Sequence, residues 1–216
     1  EVKHNLQKAN HIVSGFELNL PKNFDLNIEG YYKYFPQLTN LNRNKIYEDT
    51  EDNAGKPDYL KKDFIIETGQ AYGFDALLKY DYKRLYLWMG YSLAYVSRYD
   101  GIITYPPHFD RRHNANFVGT YTFGKDLNWE VSCRWNLGSG FPFTKTKGFY
   151  PSFSFYDGIN TDYTTSNENI EVLYGDLNQG RLPYYHRLDV SVKRDFILPH
   201  DAVLEATAGV TNLYNR

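Results

Sequence analysis

The side chains best suited to chemistry gather in two short runs. In the first, His108, Asp110 and His113 are metal-binding residue types, and Asp110, Arg111 and Arg112 set one carboxylate beside two guanidiniums. In the second, Tyr185, Arg187 and Asp189 recur at every other position, so an extended chain would present them on one face. Imidazole and carboxylate groups in such a loop or strand more often make local hydrogen bonds, so no metal is expected at the first run. The acidic run Glu48 to Asp52, followed by Asn53, has hard oxygen ligands suited to calcium, with a solvated loop as the simpler reading. There is no nucleophile elbow, no His-Glu-x-x-His motif and no Gly-rich phosphate loop. The lone Cys133 excludes an internal disulfide and any multi-cysteine metal site. Neither enzymatic activity nor a bound cofactor is expected.

The elements that must carry these residues show a period of two. Trp129, Val131, Cys133, Trp135 and Leu137 alternate with Glu130, Ser132, Arg134 and Asn136, the pattern of a strand with one dry and one wet face. The same alternation runs through Phe16 to Leu20, Leu26 to Tyr34, Tyr72 to Tyr82, Leu85 to Tyr95, Asn114 to Phe123, Arg187 to Lys193 and Leu204 to Thr211, predicting eight strands. Leu87, Met89, Leu93, Val131, Cys133, Trp135, Val190 and Leu204 are expected on one face of the sheet. Glu29, Asp75, Arg134, Arg187 and Asp189 are expected on the other.

Alternation alone fits a soluble sandwich as well as a barrel. The connections favour the barrel. Short turns at Pro21 to Asn23, Lys83 to Arg84, Gly124 to Asp126 and Leu198 to Asp201 alternate strictly with long polar connections. Those long connections run from Pro36 to about Glu67, from Asp100 to about Arg112 and from Gly138 to about Leu182. Transmembrane barrels have this asymmetry, and they ring both interfaces with aromatic residues. The chain contains 21 Tyr, 14 Phe and 3 Trp, which collect at predicted strand ends such as Tyr31 to Phe35, Tyr95 and Tyr99, and Phe123 and Trp129. The net charge of −2, from 24 basic and 26 acidic residues, gives no field that would favour nucleic acid. No run reaches the roughly 20 apolar residues of a spanning helix. The opening Glu-Val-Lys-His-Asn lacks the pattern of an export signal, so the chain is expected to be a piece of something longer.

Several strings, in order along the chain, resemble those of TonB-dependent outer-membrane receptors of the Bacteroidetes type. They are HIVSGFELNL at His11 to Leu20, IEGYYK at Ile28 to Lys33, AYGFDALL at Ala71 to Leu78 and PPHFDRRH at Pro106 to His113. They continue with GSGFPFT at Gly138 to Thr144, RLPYYHRLD at Arg181 to Asp189 and VTNLYNR at Val210 to Arg216. The resemblance implies an all-β, antiparallel transmembrane barrel of about 22 strands, of which about eight fall in residues 1–216. It also implies a plug domain and a last closing strand, neither of which is in this sequence. By the same resemblance the protein would sit in the bacterial outer membrane, in contact with lipid. It would import a scarce nutrient, such as a metal chelate, cofactor, glycan or peptide, using energy supplied by the TonB complex acting on the plug.

A surface lipoprotein is a further possible partner in that family, though no clear mark of the subgroup that uses one is present. Asp110, Arg111, Arg112, His113, Tyr185, Arg187 and Asp189 then become candidates for lumen-facing or substrate-binding residues. Pairing of their charges with one another or with the plug is favoured over direct substrate contact. Two other readings stay open: a passive porin or small structural barrel, and a soluble β-sandwich binding module.

Overall fold

The computed structural model describes residues 6–151 and 170–214. The middle of the long Gly138 to Leu182 connection and the last two residues of the Val210 to Arg216 string lie outside the described residues.

The strands are β1 (Lys8–Leu20), β2 (Phe24–Leu41), β3 (Phe64–Tyr82), β4 (Leu85–Tyr99), β5 (Thr104–Tyr105), β6 (His113–Phe123) and β7 (Trp129–Gly138). They continue as β8 (Pro142–Phe143), β9 (Thr146–Pro151), β10 (Ile170–Tyr174), β11 (Gly180–Arg181), β12 (Tyr185–Ile197) and β13 (Val203–Val210). The eight long strands form one antiparallel sheet in the order β1-β2-β3-β4-β6-β7-β12-β13, each paired with its neighbour in sequence. This is the meander expected from the alternation. The tight turns all lie at one end of the sheet, each helped by left-handed backbone: at Lys22 and Asn23, at Lys83, at Gly124 and Leu127, and at His200. The three long connections lie at the other end.

Two boundaries differ from the sequence reading. The first long connection was expected to begin at Pro36 and end near Glu67, yet β2 runs on to Leu41 and β3 begins at Phe64. Proline cannot donate to a ladder, and the chain absorbs it in a bulge where the register with β3 steps between Phe35 and Leu38. The other two long connections contain structure of their own. Residues Thr104–Tyr105 pair with the end of β4, and two small two-stranded sheets, β8 with β11 and β9 with β10, lie between β7 and β12.

Because partners in register project to the same side of a sheet, the pairing fixes the faces across all eight strands. One row runs Leu87, Gly119, Cys133, Val190 and Val210. A parallel row runs Leu18, Leu26, Leu78, Met89, Phe117, Trp135 and Leu188. On the opposite face lie Glu29, Asp75, Ser92 and Asn114 in one row, and Arg134 with Asp189 in another. The two residue sets expected on opposite faces are therefore on opposite faces. The one register step between β2 and β13, at Phe35 and Leu38, lies beyond these residues.

Aromatic rings gather at both ends of the apolar face. At the tight-turn end, Phe24 and Tyr80 lie 4.5 Å apart, Tyr121 and Phe123 6.2 Å, and Phe123 and Trp129 6.1 Å. Towards the other end, Tyr72 stacks on Tyr95 at 5.4 Å and Phe74 meets Tyr91 at 5.8 Å.

Almost nothing covers the apolar face. Every pair of elements in substantial contact is a hydrogen-bonded pair within a sheet, so no second layer packs on the main sheet among the described residues. Ala71, Tyr105, Pro107 and Pro142 are buried, and Lys61, Glu67, Asp110 and Ser139 are buried although polar or charged. Burial is concentrated where the long connections fold back. β1 and β13 are open edges that do not pair with each other, so the described residues form an open sheet and not a closed eight-stranded barrel.

Candidate functional site

The end of the sheet that carries the long connections is built around two carboxylates that water does not reach. Glu67, in the first turn of the ladder of β3, has the same parity as Asp75 and so lies on the polar face. It is 0% exposed. Tyr105 Oη sits 2.7 and 2.9 Å from its two oxygens, Asn40 Nδ2 donates to it at 3.1 Å, and Arg43 and Arg98 approach at 3.5 and 3.6 Å. A buried carboxylate is costly unless it is bonded in this way.

Arg43 comes from the first long connection and Tyr105 from the second, so Glu67 ties the two together on the wall of β3. The Arg43 guanidinium lies over the Tyr105 ring at 4.4 Å and donates to Asp100 at 2.8 Å. Burial would lower the Arg43 pKa, but its bonds to Tyr105 and Asp100 and the charge of Glu67 outweigh this and hold it above the ordinary value. Burial, helped by the bond to Glu67 and opposed by Arg43, pushes the Tyr105 hydroxyl up. Asp100 is held below the usual carboxylate range. Burial works against that shift, but N–H donation from Ile103 and Ile102 and the bond from Arg43 prevail.

Asp110 is the second buried carboxylate, at 1% exposure. Its Oδ1 accepts from Val96 N at 3.1 Å, a donor on the flank of β4 beyond the reach of β6. Arg181 donates to both the carboxylate and the main-chain carbonyl of Asp110, and Arg112 Nε stands 3.7 Å away. Asp110 thus closes an otherwise open stretch of ladder and joins the second long connection to the third. Asn178 Nδ2 adds a bond to Pro106 O at 2.8 Å, and Ser139 Oγ accepts from His113 N at 2.9 Å.

The residues singled out from sequence divide into separate environments. Asp110 is in the lock just described. Arg111 turns onto the polar face, packed on Gly138 and 4.3 Å from the Phe141 ring. Arg112 lies over the Tyr95 ring at 5.0 Å. His113 pairs in register with Leu93, which puts it on the apolar face, and its Nδ1 meets Tyr91 Oη at 2.8 Å. It therefore does not share the polar face with Asp75, Arg134 and Asp189, as expected of it, because its parity is that of Ala115 and Phe117.

Tyr185 is half-exposed opposite Gly138. Arg187 and Asp189 form a 2.7 Å ion pair, and Asp189 also accepts Asn212 N at 2.8 Å. His108 packs edge-on against Phe109, so His108, Asp110 and His113 turn to different partners. In the acidic run, Glu48 is engaged by Lys45 at 2.8 Å. The bonds of Lys45 to Asp63 and Glu48 push its amine up to about 12. Among the described residues no group of acids, histidines and cysteine is arranged to hold a metal.

Glu67, Arg43, Arg98, Tyr105 and Arg181 were not among the sequence candidates. Parity could have put Glu67 on the polar face, but nothing local says that two distant loops bury it. Below the loops the polar face is hollowed. One cavity of about 390 Å³ is lined by Tyr86, Trp88, Asn116, Val118, Arg134 and Asn136. A second, of about 440 Å³, reaches from Arg134 and Ser132 to Asp189 and Thr211.

Comparison with protein-family models finds no match, and searches of curated proteins and of solved structures find none either.

Proposed function

We propose that this chain is a stretch of the wall of an outer-membrane β-barrel of the TonB-dependent receptor kind, which imports a scarce nutrient with energy supplied through TonB. The observation that carries the barrel reading is a largely apolar face eight strands wide whose side chains, such as Phe16, Met89 and Leu204, stay exposed, with no second layer upon it among the described residues. In water such a face would be an aggregation surface, whereas a bilayer covers it.

Dimensions agree with that reading. The ten residues of β7 span roughly 33 Å, and a tilt of about 40° reduces this to roughly 25 Å, the height of a barrel's apolar band. The aromatic clusters at both ends of the face are then the interfacial girdles, and the polar face is the lumen wall. Open edges in a bilayer leave unpaired backbone groups that cost several kcal/mol each, so on this reading further strands flank β1 and β13. The TonB-linked transport and the plug rest on the family resemblance of the strings from His11 to Arg216.

The test uses the full-length protein expressed in a bacterium with an outer membrane. The reading expects it in the outer-membrane fraction, with a mobility on gel electrophoresis that changes on heating and with binding to the purified C-terminal domain of TonB. A heat-modifiable barrel that ignores TonB would be a passive porin, and a protein that stays monomeric in buffer without detergent would overturn the membrane reading.

A further inference from the structure

On the polar face of β6, β7 and β12 the arginines are unevenly paired with acids. Arg111, Arg134 and Arg187 reach this face beneath the long connections, and of the three only Arg187 has an ion pair among the described residues, with Asp189. Asp189 stands opposite Arg134 in register but gives its Oδ1 to Arg187 Nε and to Asn212 N. Arg134 is left exposed.

Arg111 is held in a seat. A Cβ built on Gly138 would lie 2.6 Å from Arg111 Cζ and from one terminal nitrogen, so the guanidinium occupies the space that a side chain at 138 would take. Phe141 supports it 4.3 Å from its ring centroid, and Arg111 Nε is buried without a hydrogen-bond partner among the described residues. A guanidinium packed on a glycine and an aromatic ring keeps a fixed orientation. Its remaining N–H edge has the geometry that grips a carboxylate or phosphate through two parallel bonds. Around it on the same face lie Asn114, paired with Gly138, and Asn136, paired with Arg187, both able to donate to a bound oxyanion.

We infer that Arg111, seated on Gly138, forms a subsite for an oxyanion of the transported ligand, a carboxylate or a phosphate, with Arg187 and then Arg134 further down the same face. This deepens the transport reading by naming a substrate class, and it rests on that reading only for how the ligand arrives. Ordinary charge pairing between strands does not require the arrangement, because pairing would place an acid within reach of Arg111. Arg111 instead has a support and, among the described residues, no counter-ion.

The experiment measures binding of tricarballylate and of pyrophosphate to the full-length protein in nonionic detergent at low salt, by calorimetry. At least one probe should bind, and Arg111→Gln and Gly138→Ala should each weaken it at least tenfold. Gly138→Ala keeps every charge and removes only the seat. Arg111→Lys, which keeps charge without the fork, should fall between, and Lys22→Gln at the tight-turn end should bind as the unsubstituted protein does. Binding of tricarballylate alone assigns carboxylate and binding of pyrophosphate alone assigns phosphate. Equal binding by all variants, or binding of neither probe, overturns the subsite. Each variant is also checked for heat-modifiable mobility: a protein that keeps it but shows no binding loses the oxyanion site and not the barrel, whereas loss of the barrel in the unsubstituted protein falls on the transport reading.

Discussion

Replacing Glu67 by glutamine removes the charge around which two long connections are folded. The carboxylate holds Tyr105, Asn40, Arg43 and Arg98 at 2.7 to 3.6 Å. In Glu67→Gln the remaining carbonyl oxygen can still accept from Tyr105, and Arg43 keeps Asp100 at 2.8 Å. Arg98 loses its acid, and the new amide brings two donors into a cluster of donors. Removing one partner of a fully buried ion pair costs about 3 to 5 kcal/mol. Here the arginines are partly solvated, with side chains 32% and 21% exposed, so roughly 2 kcal/mol is the working figure.

That loss falls on loop closure and not on the sheet, since Glu67 lies at the end of β3. At about 1.4 kcal/mol per factor of ten, the open population of the loops should rise roughly 30-fold. Limited trypsin digestion of the full-length protein in detergent reads this directly when opening is fast relative to cleavage. Cuts after Arg43 and Lys45 should accelerate by that factor. Cuts after Arg111 or Arg112 should accelerate with them, because Tyr105 belongs to the same connection. A rise below threefold at both places, with heat-modifiable mobility retained, would refute the argument that Glu67 holds the loops.

Further expectations follow from the same geometry. The folded pKa of Asp100 is depressed, so its contribution is present above the ordinary carboxylate range near 4 and fades as pH falls through the lower folded value. Hydrogen exchange at the Ile102 and Ile103 amides, bonded to Asp100 at 2.9 and 2.8 Å, should lose protection in that acidic window after correction for intrinsic rates. Protection that stays constant to pH 2 would contradict this. Met89→Arg places charge in mid-height on the apolar face and should lower barrel stability by about 2 to 4 kcal/mol, whereas Ser92→Arg, facing Asp75 on the polar face, should fold normally. Equal tolerance, measured as folded fraction in lipid vesicles, would mean that the apolar face does not meet lipid. In Gly140→Ala a Cβ would lie 1.6 Å from Leu182 O, so the crossing of the third long connection must shift. Overpacking of this kind costs about 1 to 3 kcal/mol, and cleavage after Lys145 and Arg181 should accelerate while the eight-stranded sheet persists.

The sequence alone determined the strands, their order and their faces, because these depend on local rules. Alternation such as Trp129 to Leu137 can satisfy only a strand with unlike faces. Tight turns at Lys83 and at Lys22 and Asn23 force their neighbours to pair. The strand ends were less legible. Pro36 reads as a stop, and only pairing with both β1 and β3 shows that a bulge carries the chain past it. The face of His113 was present in its parity with Ala115, but its proximity to Asp110 and Arg112 in sequence obscured it.

Tertiary structure alone decided the site. Glu67 and Arg43 are 24 residues apart, and Asp110 and Arg181 are 71 apart. No local pattern records which loops meet over which strand. Burial is a property of those meetings: a glutamate at the end of a polar connection is a solvated charge in sequence and becomes a buried one only when Tyr105, Asn40 and two arginines close over it. The seat of Arg111 has the same origin, since Gly138 has no side chain and the space it leaves is filled only because a separate connection returns across β7.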